Sequence, residues 1–256
     1  MRSFISFTKK EWLFHMRSGK ITVILLIFLL LGIMNPAIAK LTPWMLEAMS
    51  ESLSEAGMTV SEVTVDAMTS WVQFFKNAPM GLIVFVLIEA SIFTDEYRMG
   101  TMVMILTKGI KRYKVILAKA SVMTVLWSGA YWLSFAVTYG YNSYFWDNSV
   151  AQSLIPSVVY WWLFGMLCTV LILFFSAIMK GTTSVLLGVG ASVLFFYILT
   201  LFAKVKKFSP ALLMDGNSLI YGAEDAEAYV PAVMVTSVLV LALTAASIPL
   251  FNKRQV

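Results

Sequence analysis

The sequence predicts an all-α membrane protein with six transmembrane helices, an N-terminal interfacial amphipathic helix and a short helix on the loop between spans two and three. Three observations carry this. Of 256 residues, 59% are hydrophobic and 13% charged, against about 45–50% and about 25% in an ordinary soluble domain. Four tracts longer than 20 residues hold no Asp, Glu, Lys or Arg: Ala120 to Trp146, Asn148 to Met179, Gly181 to Ala203 and Ala228 to Asn252. Tracts of that length are read as spanning helices. Basic residues also alternate between loops in a way that fixes a topology. Six crossings of about 20 residues occupy roughly 120 positions, so residues 21–256 form a single transmembrane domain.

In residues 1–20 the basic Arg2, Lys9, Lys10 and Arg17 fall in one arc of a helical wheel, and Phe4, Ile5, Phe7, Trp12 and Phe14 in the other. That pattern belongs to a helix lying in the membrane interface. Glu11 breaks it by landing in the apolar arc, and Leu13 by landing in the basic one. The first span is Ile21 to Ala39; its end, Ala37-Ile38-Ala39, imitates a signal-peptidase site, but the apolar core is too long for the usual signal peptide and a retained helix is expected. An outer loop, 41–72, follows, with Glu47, Glu51, Glu55, Glu62 and Asp66 and no Lys or Arg. Within it Thr42-Pro43 predicts a helix start and Gly57 a stop. The remaining spans are Phe74 to Thr94, Val115 to Tyr141, Ser153 to Met179, Thr183 to Leu201 and Pro231 to Phe251.

Six spans put both ends on one side. With that side cytoplasmic, the inner segments carry 13 Lys and Arg and the outer ones five, Lys40, Lys76, Lys204, Lys206 and Lys207. The positive-inside rule therefore chooses cytoplasmic termini in a plasma membrane. The net charge of +5 is explained by this rule and by anionic lipid, without nucleic acid. No Gly-x4-Gly-Lys-Ser/Thr loop is present for ATP. One cysteine, Cys168, and one histidine, His15, leave no internal disulfide and argue against a metal cluster or a catalytic relay. The chain is expected to bind no cofactor and not to be an enzyme by itself.

The inner loop, 94–114, has both charge and an apolar face. Asp95, Glu96 and Arg98 stand near its start, and Tyr97, Met99, Met102, Met104, Ile105 and Leu106 supply apolar surface. A short helix at the membrane face follows. Here the chain resembles the permease subunits of type-2 ABC exporters, in which an acidic residue precedes a Gly-Thr pair by four positions, followed by a hydrophobic stretch, an Arg and a Lys opening the next span. Glu96, Gly100, Thr101, Arg112 and Lys119 stand in those places. Where that family often has Pro before the Arg, this chain has Gly109, a change expected to loosen the turn.

The resemblance implies that the loop is a coupling helix on which a separate cytoplasmic ATP-binding cassette subunit, holding ATP and Mg, docks. Asp95, Glu96, Tyr97, Arg98, Gly100, Thr101, Met102 and Arg112 are the candidate contacts. It also implies a second permease subunit, expected as a homodimer, and export of an amphipathic or hydrophobic cargo. The half-size form resembles peptide and toxin exporters, which favours small antimicrobial or cytolytic peptides; drug or lipid export, and a non-transporting immunity or sensor role, stand as alternatives.

Within the spans, Glu89 and Lys119 fall at similar depth on consecutive helices and are expected to pair, because a lone charge in hydrocarbon costs about 2.5–3.5 kcal/mol. Two roles stand for Glu89, gating the inner mouth or neutralising Lys119. Ser184, Gly188 and Ser192 make a small-residue stripe suited to close helix approach, between two permeases or within one. Trp132, Trp146, Trp161 and Trp162 with Tyr139, Tyr141 and Tyr144 crowd the outer ends of spans three and four, as interfacial anchors or a stacking site.

Overall fold

In a computed structural model the chain is described over residues 2–49, 65–107 and 109–253. The apolar tracts form helices because only a helix satisfies its own backbone N–H and C=O groups without water. In order these are α1 (Arg2–Arg17), α2 (Lys20–Ala48), α3 (Ala67–Glu89), α4 (Thr94–Arg98), α5 (Thr101–Thr107), α6 (Arg112–Phe145), α7 (Leu154–Ile178), α8 (Thr182–Thr200), α9 (Ala203–Lys206), α10 (Gly216–Ile220) and α11 (Val230–Lys253). Short 3-10 turns at Asn148–Val150, Pro210–Met214 and Ala226–Tyr229 join them. Among the described residues six helical segments are long and apolar enough to cross a membrane: Lys20–Met45, Ala67–Arg98, Arg112–Phe145, Leu154–Ile178, Thr182–Thr200 and Ala226–Asn252.

The expected helix start at Thr42-Pro43 is absent. Instead α2 continues through Pro36 and Pro43 to Ala48; the Thr42 hydroxyl donates to the Ile38 carbonyl at 2.8 Å, and the Gly32 carbonyl that Pro36 leaves without its helical N–H accepts from the Thr138 hydroxyl. Residues 51, 55 and 57 of that expectation lie outside the described residues. The second span also begins earlier than Phe74, at Ala67, because Asp66 caps it: its carboxylate accepts from the Thr69 amide at 3.1 Å, satisfying an orphan N–H of the first turn.

Packing divides into two neighbouring cores. One surrounds Trp127, against which Phe85 and Phe28 pack edge-on at ring separations of 5.3 and 5.8 Å, and Tyr131 stacks at 5.4 Å. Trp161 belongs to this core, fully buried with its indole N–H donating to the Met214 carbonyl at 2.9 Å. Its expected place among interfacial anchors is corrected: Trp161 faces the bundle, while Tyr139, Tyr141 and Tyr144 are exposed. The second core lies toward the end carrying both termini and gathers Phe7, Phe93, Met102, Ile116 and Phe251.

Three central helices are further joined by a polar chain. Asn77 on α3 donates to Asn35 on α2 at 2.7 Å, Asn35 to Thr138 on α6 at 3.0 Å, and Thr138 to the Gly32 carbonyl at 3.0 Å. Such bonds are favoured where the alternative is an unsatisfied polar group in hydrocarbon. Gly32 makes room for it, since a Cβ there would stand 2.9 Å from the Ser134 carbonyl oxygen.

Gly165 is the tightest point of the α6–α7 contact. A Cβ at this position would fall inside the Trp127 ring, which is held in place by its N–H bond to the Trp162 carbonyl at 3.0 Å. Gly165→Ala is expected to destabilise the bundle by about 1–3 kcal/mol, lowering the apparent melting temperature in detergent; in a Trp127→Leu background the same substitution should cost less, since the ring it would strike is gone.

Candidate functional site

The face of α1 that packs inward is Phe7, Glu11 and His15, spaced four apart on one helical stripe. Glu11 is therefore in the apolar arc for a reason: it is 1% exposed and meets Lys119 of α6, also 1% exposed. The turn after α3 brings a second carboxylate to the same place. Lys119 Nζ lies 2.8 Å from Glu11 Oε2 and 3.1 Å from Glu96 Oε2, while Lys10 Nζ lies 2.7 Å from Glu11 Oε1 and 2.6 Å from Glu96 Oε1. Lys10, Glu11, Lys119 and Glu96 thus close a ring of alternating charge, each carboxylate using one oxygen for each lysine. Two positive and two negative groups balance, which is what permits the burial of Glu11, Glu96 and Lys119, while the Lys10 side chain closes the ring from the surface.

The expected Glu89–Lys119 pair is corrected by this arrangement. The depths agree, but the two side chains leave their helices in different directions: Glu89, fully buried, meets His15 Nε2 at 3.1 Å. The third contact of Lys119 is the Ile92 carbonyl at 3.0 Å. Lys20 similarly donates to the Ile88 carbonyl and the Ser91 hydroxyl, both at 3.1 Å. Lys20 therefore covers a carbonyl in the last turn of α3, at the negative pole of the helix, and Lys119 one in the turn that follows it.

The Glu-x3-Gly-Thr spacing is a local turn device. Gly100 has φ +66°, a left-handed conformation that ends α4 and that glycine adopts without strain. The Thr101 hydroxyl then reaches back to the Glu96 carbonyl at 3.4 Å. Gly109, with φ +77°, makes the second turn, into α6. A proline, with φ fixed near −65°, does not fit there, so the departure from the resembled pattern serves this turn's geometry.

The candidate contacts divide into two sets. Glu96 and Met102 are buried, and Arg112 donates to the Phe251 and Asn252 carbonyls at 2.8 and 3.1 Å, fastening α6 to the end of α11. Tyr97 stacks beside Phe93 at 6.3 Å. Asp95 and Arg98 form an outward pair at 3.8 Å, with the Arg98 side chain 82% exposed. Together with Thr94, Lys180 and Thr182 they line a groove of about 540 Å³ between α4–α5 and the turn into α8. The Thr94 and Thr182 hydroxyls, 2.6 Å apart, bridge its floor. On α8, Ser184 is exposed, and Gly188 receives the Phe175 ring of α7, 2.7 Å from where a Cβ would stand; the Ser192 hydroxyl bonds back to the Gly188 carbonyl at 2.8 Å. Gly188 is thus a contact within the chain. Among the described residues no three His, Cys, Asp or Glu are grouped to hold a metal ion.

Burial by itself raises the Glu11 carboxyl, but Lys119 and Lys10 outweigh it and hold the group below 4.5. Burial lowers the Lys10 ammonium, and Glu11 and Glu96 outweigh that and hold it above 10.5. The depressed carboxyl contributes stability above pH 4.5 that is lost as pH falls through its lowered value; the raised ammonium contributes below pH 10.5 and is lost as pH rises through its raised value. Attachment of α1, read by protease cleavage after Arg17, is expected to hold across the interval and fail in acid. Lys119→Met leaves two buried carboxylates facing each other and is expected to cost about 3–5 kcal/mol; adding Glu11→Gln should restore part of the lost thermal stability.

Comparison with curated proteins returns no match. Residues 5–254 match the family model described as ABC-2 family transporter protein, so the match takes in most of α1, the ring, the groove and all six candidate spans. The chain belongs to the ABC-2 transporter family, as a half-size, multi-pass permease subunit of an ABC transporter, a family whose members associate with an ATP-binding subunit.

Proposed function

We propose that this permease exports an amphipathic or hydrophobic compound, that its ATP-binding subunit docks in the groove between α4–α5 and the turn into α8, and that the buried ring carries the docked subunit's movement into the bundle. One observation supports the coupling role above the others. The short helices that form one wall of the groove are tied through Glu96 to both α1 and α6. Displacing a rigid segment that is bonded to two long helices moves them together.

The surface chemistry fits this use. Asp95, Arg98 and Lys180 offer charge of both signs at the groove, suited to steering and register with a soluble partner. The outward face of α1 shows Ile5, Trp12 and Met16, an apolar strip for the headgroup boundary on the cytoplasmic side. Little of α8 is buried, and Leu187, Leu194, Phe195 and Tyr197 are exposed, a face for lipid or a second copy of the chain. A cleft of about 360 Å³ between α3, α7 and α8, lined by Leu82, Val86, Phe164, Leu186 and Val193, supports an apolar cargo; a small amphipathic peptide is our first choice of substrate.

Because Glu96 faces inward, the informative docking variant is Asp95→Ala with Arg98→Ala, which leaves the ring intact. It is expected to lower ATPase stimulation by the permease about tenfold, roughly 1.4 kcal/mol of docking energy, without changing membrane insertion or elution volume. Unaltered stimulation would place the docking surface elsewhere.

A further inference from the structure

We infer that His15 and Glu89 together form a buried binding site for a single proton, which fastens the N-terminal helix to the end of the second span. The inference follows from counting donors and does not depend on the coupling role proposed above. His15 Nδ1 lies 2.9 Å from the Glu11 backbone carbonyl oxygen. A carbonyl oxygen only accepts, so Nδ1 carries a hydrogen. A neutral imidazole has one N–H, and it is already in use. The other nitrogen, Nε2, lies 3.1 Å from Glu89 Oε2.

With an ionised carboxylate and a neutral ring, two lone pairs would face each other at that distance, with side-chain exposures of 1% and 0%. Burial makes such an arrangement costly, since water cannot relieve it. One added proton converts the contact into a hydrogen bond. It is the same proton whether the pair is drawn as imidazolium and carboxylate or as imidazole and carboxylic acid.

Charge balance leads to the same count. Around the pair, the charged side chains bonded to one another or to the end of α3 and the turn after it are Lys10 and Glu11 on α1, Lys20 on α2, Glu96 on α4 and Lys119 on α6. Four of these close the ring and neutralise one another. Lys20 is engaged with the Ile88 carbonyl and the Ser91 hydroxyl and makes no ion pair with Glu89. Glu89 Oε1 has no hydrogen-bond partner among the described residues. The charge of Glu89 is thus left to His15, and the pair is neutral only with one proton beyond the hydrogen on Nδ1. Losing it replaces the bond between α1 and α3 by repulsion, while the ring still holds α1 to α4 and α6.

His15 is the one histidine in the chain, so histidine-labelled full-length protein in lipid nanodiscs gives a self-assigned ring spectrum by nuclear magnetic resonance. Isotope labelling of glutamate adds the carboxyl carbons. At pH 7 the expected result is a ring protonated on both nitrogens, or a ring protonated on Nδ1 together with one glutamic acid carboxyl signal. In Glu89→Gln the side-chain amide donates to Nε2 in place of the proton, and both signatures should be lost, leaving a neutral ring protonated on Nδ1. Wild-type protein with a neutral ring protonated on Nε2, or on Nδ1 with every glutamate ionised, overturns the inference. A doubly protonated ring retained in Glu89→Gln does so as well. If that variant does not fold, the wild-type spectrum decides alone.

Discussion

A lysine buried within the fold needs its charge answered nearby, and the inner end of this bundle is arranged around that need. Lys119 sits in the first turns of α6 with its ammonium out of reach of water. Two carboxylates must come to it, one from the N-terminal helix and one from the loop between the second and third spans, and each then needs a further cation, which Lys10 supplies to both. The closed ring fixes three segments far apart in sequence. Removing any one member leaves at least one buried neighbour unbalanced, a larger penalty than the net value of the pairs themselves.

That constraint explains why the polypeptide turns where it does. The end of α3 and the turn after it are each held by a lysine contact, α4 is stopped by Gly100 so that Glu96 remains pointed inward, and Gly109 redirects the chain into α6 so that Lys119 arrives opposite. Arg112 then ties the start of α6 to the end of α11. The inner end is cross-linked by charge and the centre by the Asn35–Asn77–Thr138 chain, whereas α8 and α11 bury little of their surface. Such a division gives the permease a braced part, formed by α1, α2, α3 and α6, and helices with large faces left for lipid or for other subunits.

The six spans, the N-terminal helix and the distinct inner loop were legible in the sequence, because apolar length and charge-free tracts are one-dimensional signals. The wiring of the charges was less so. Glu11 read as a flaw in an amphipathic helix when it marked the packed face, and His15, one turn farther along the same stripe, carried no signal beyond being solitary. Matching depth suggested Glu89 with Lys119, but depth does not specify direction around a helix axis, and each found its partner across α1 instead. Thr42-Pro43 carries the chemistry of a helix start, yet an already formed spanning helix with a threonine reaching back to its own turn accommodates a proline. Trp161 was indistinguishable by composition from an interfacial tryptophan; only the approach of α10 and the Pro210–Met214 turn shows that it is enclosed.

The central claim, that α1 and the short helices of the inner loop move as one body, is tested most directly by a distance measurement between spin labels at Leu13 and Val103, both exposed. The measurement uses the permease assembled with its ATP-binding subunit in nanodiscs, with and without a non-hydrolysable nucleotide. The distance distribution is predicted to stay single and unchanged by nucleotide in the wild-type ring, and to broaden in Lys119→Met with Glu11→Gln. A distance that shifts with nucleotide while the ring is intact would contradict the account.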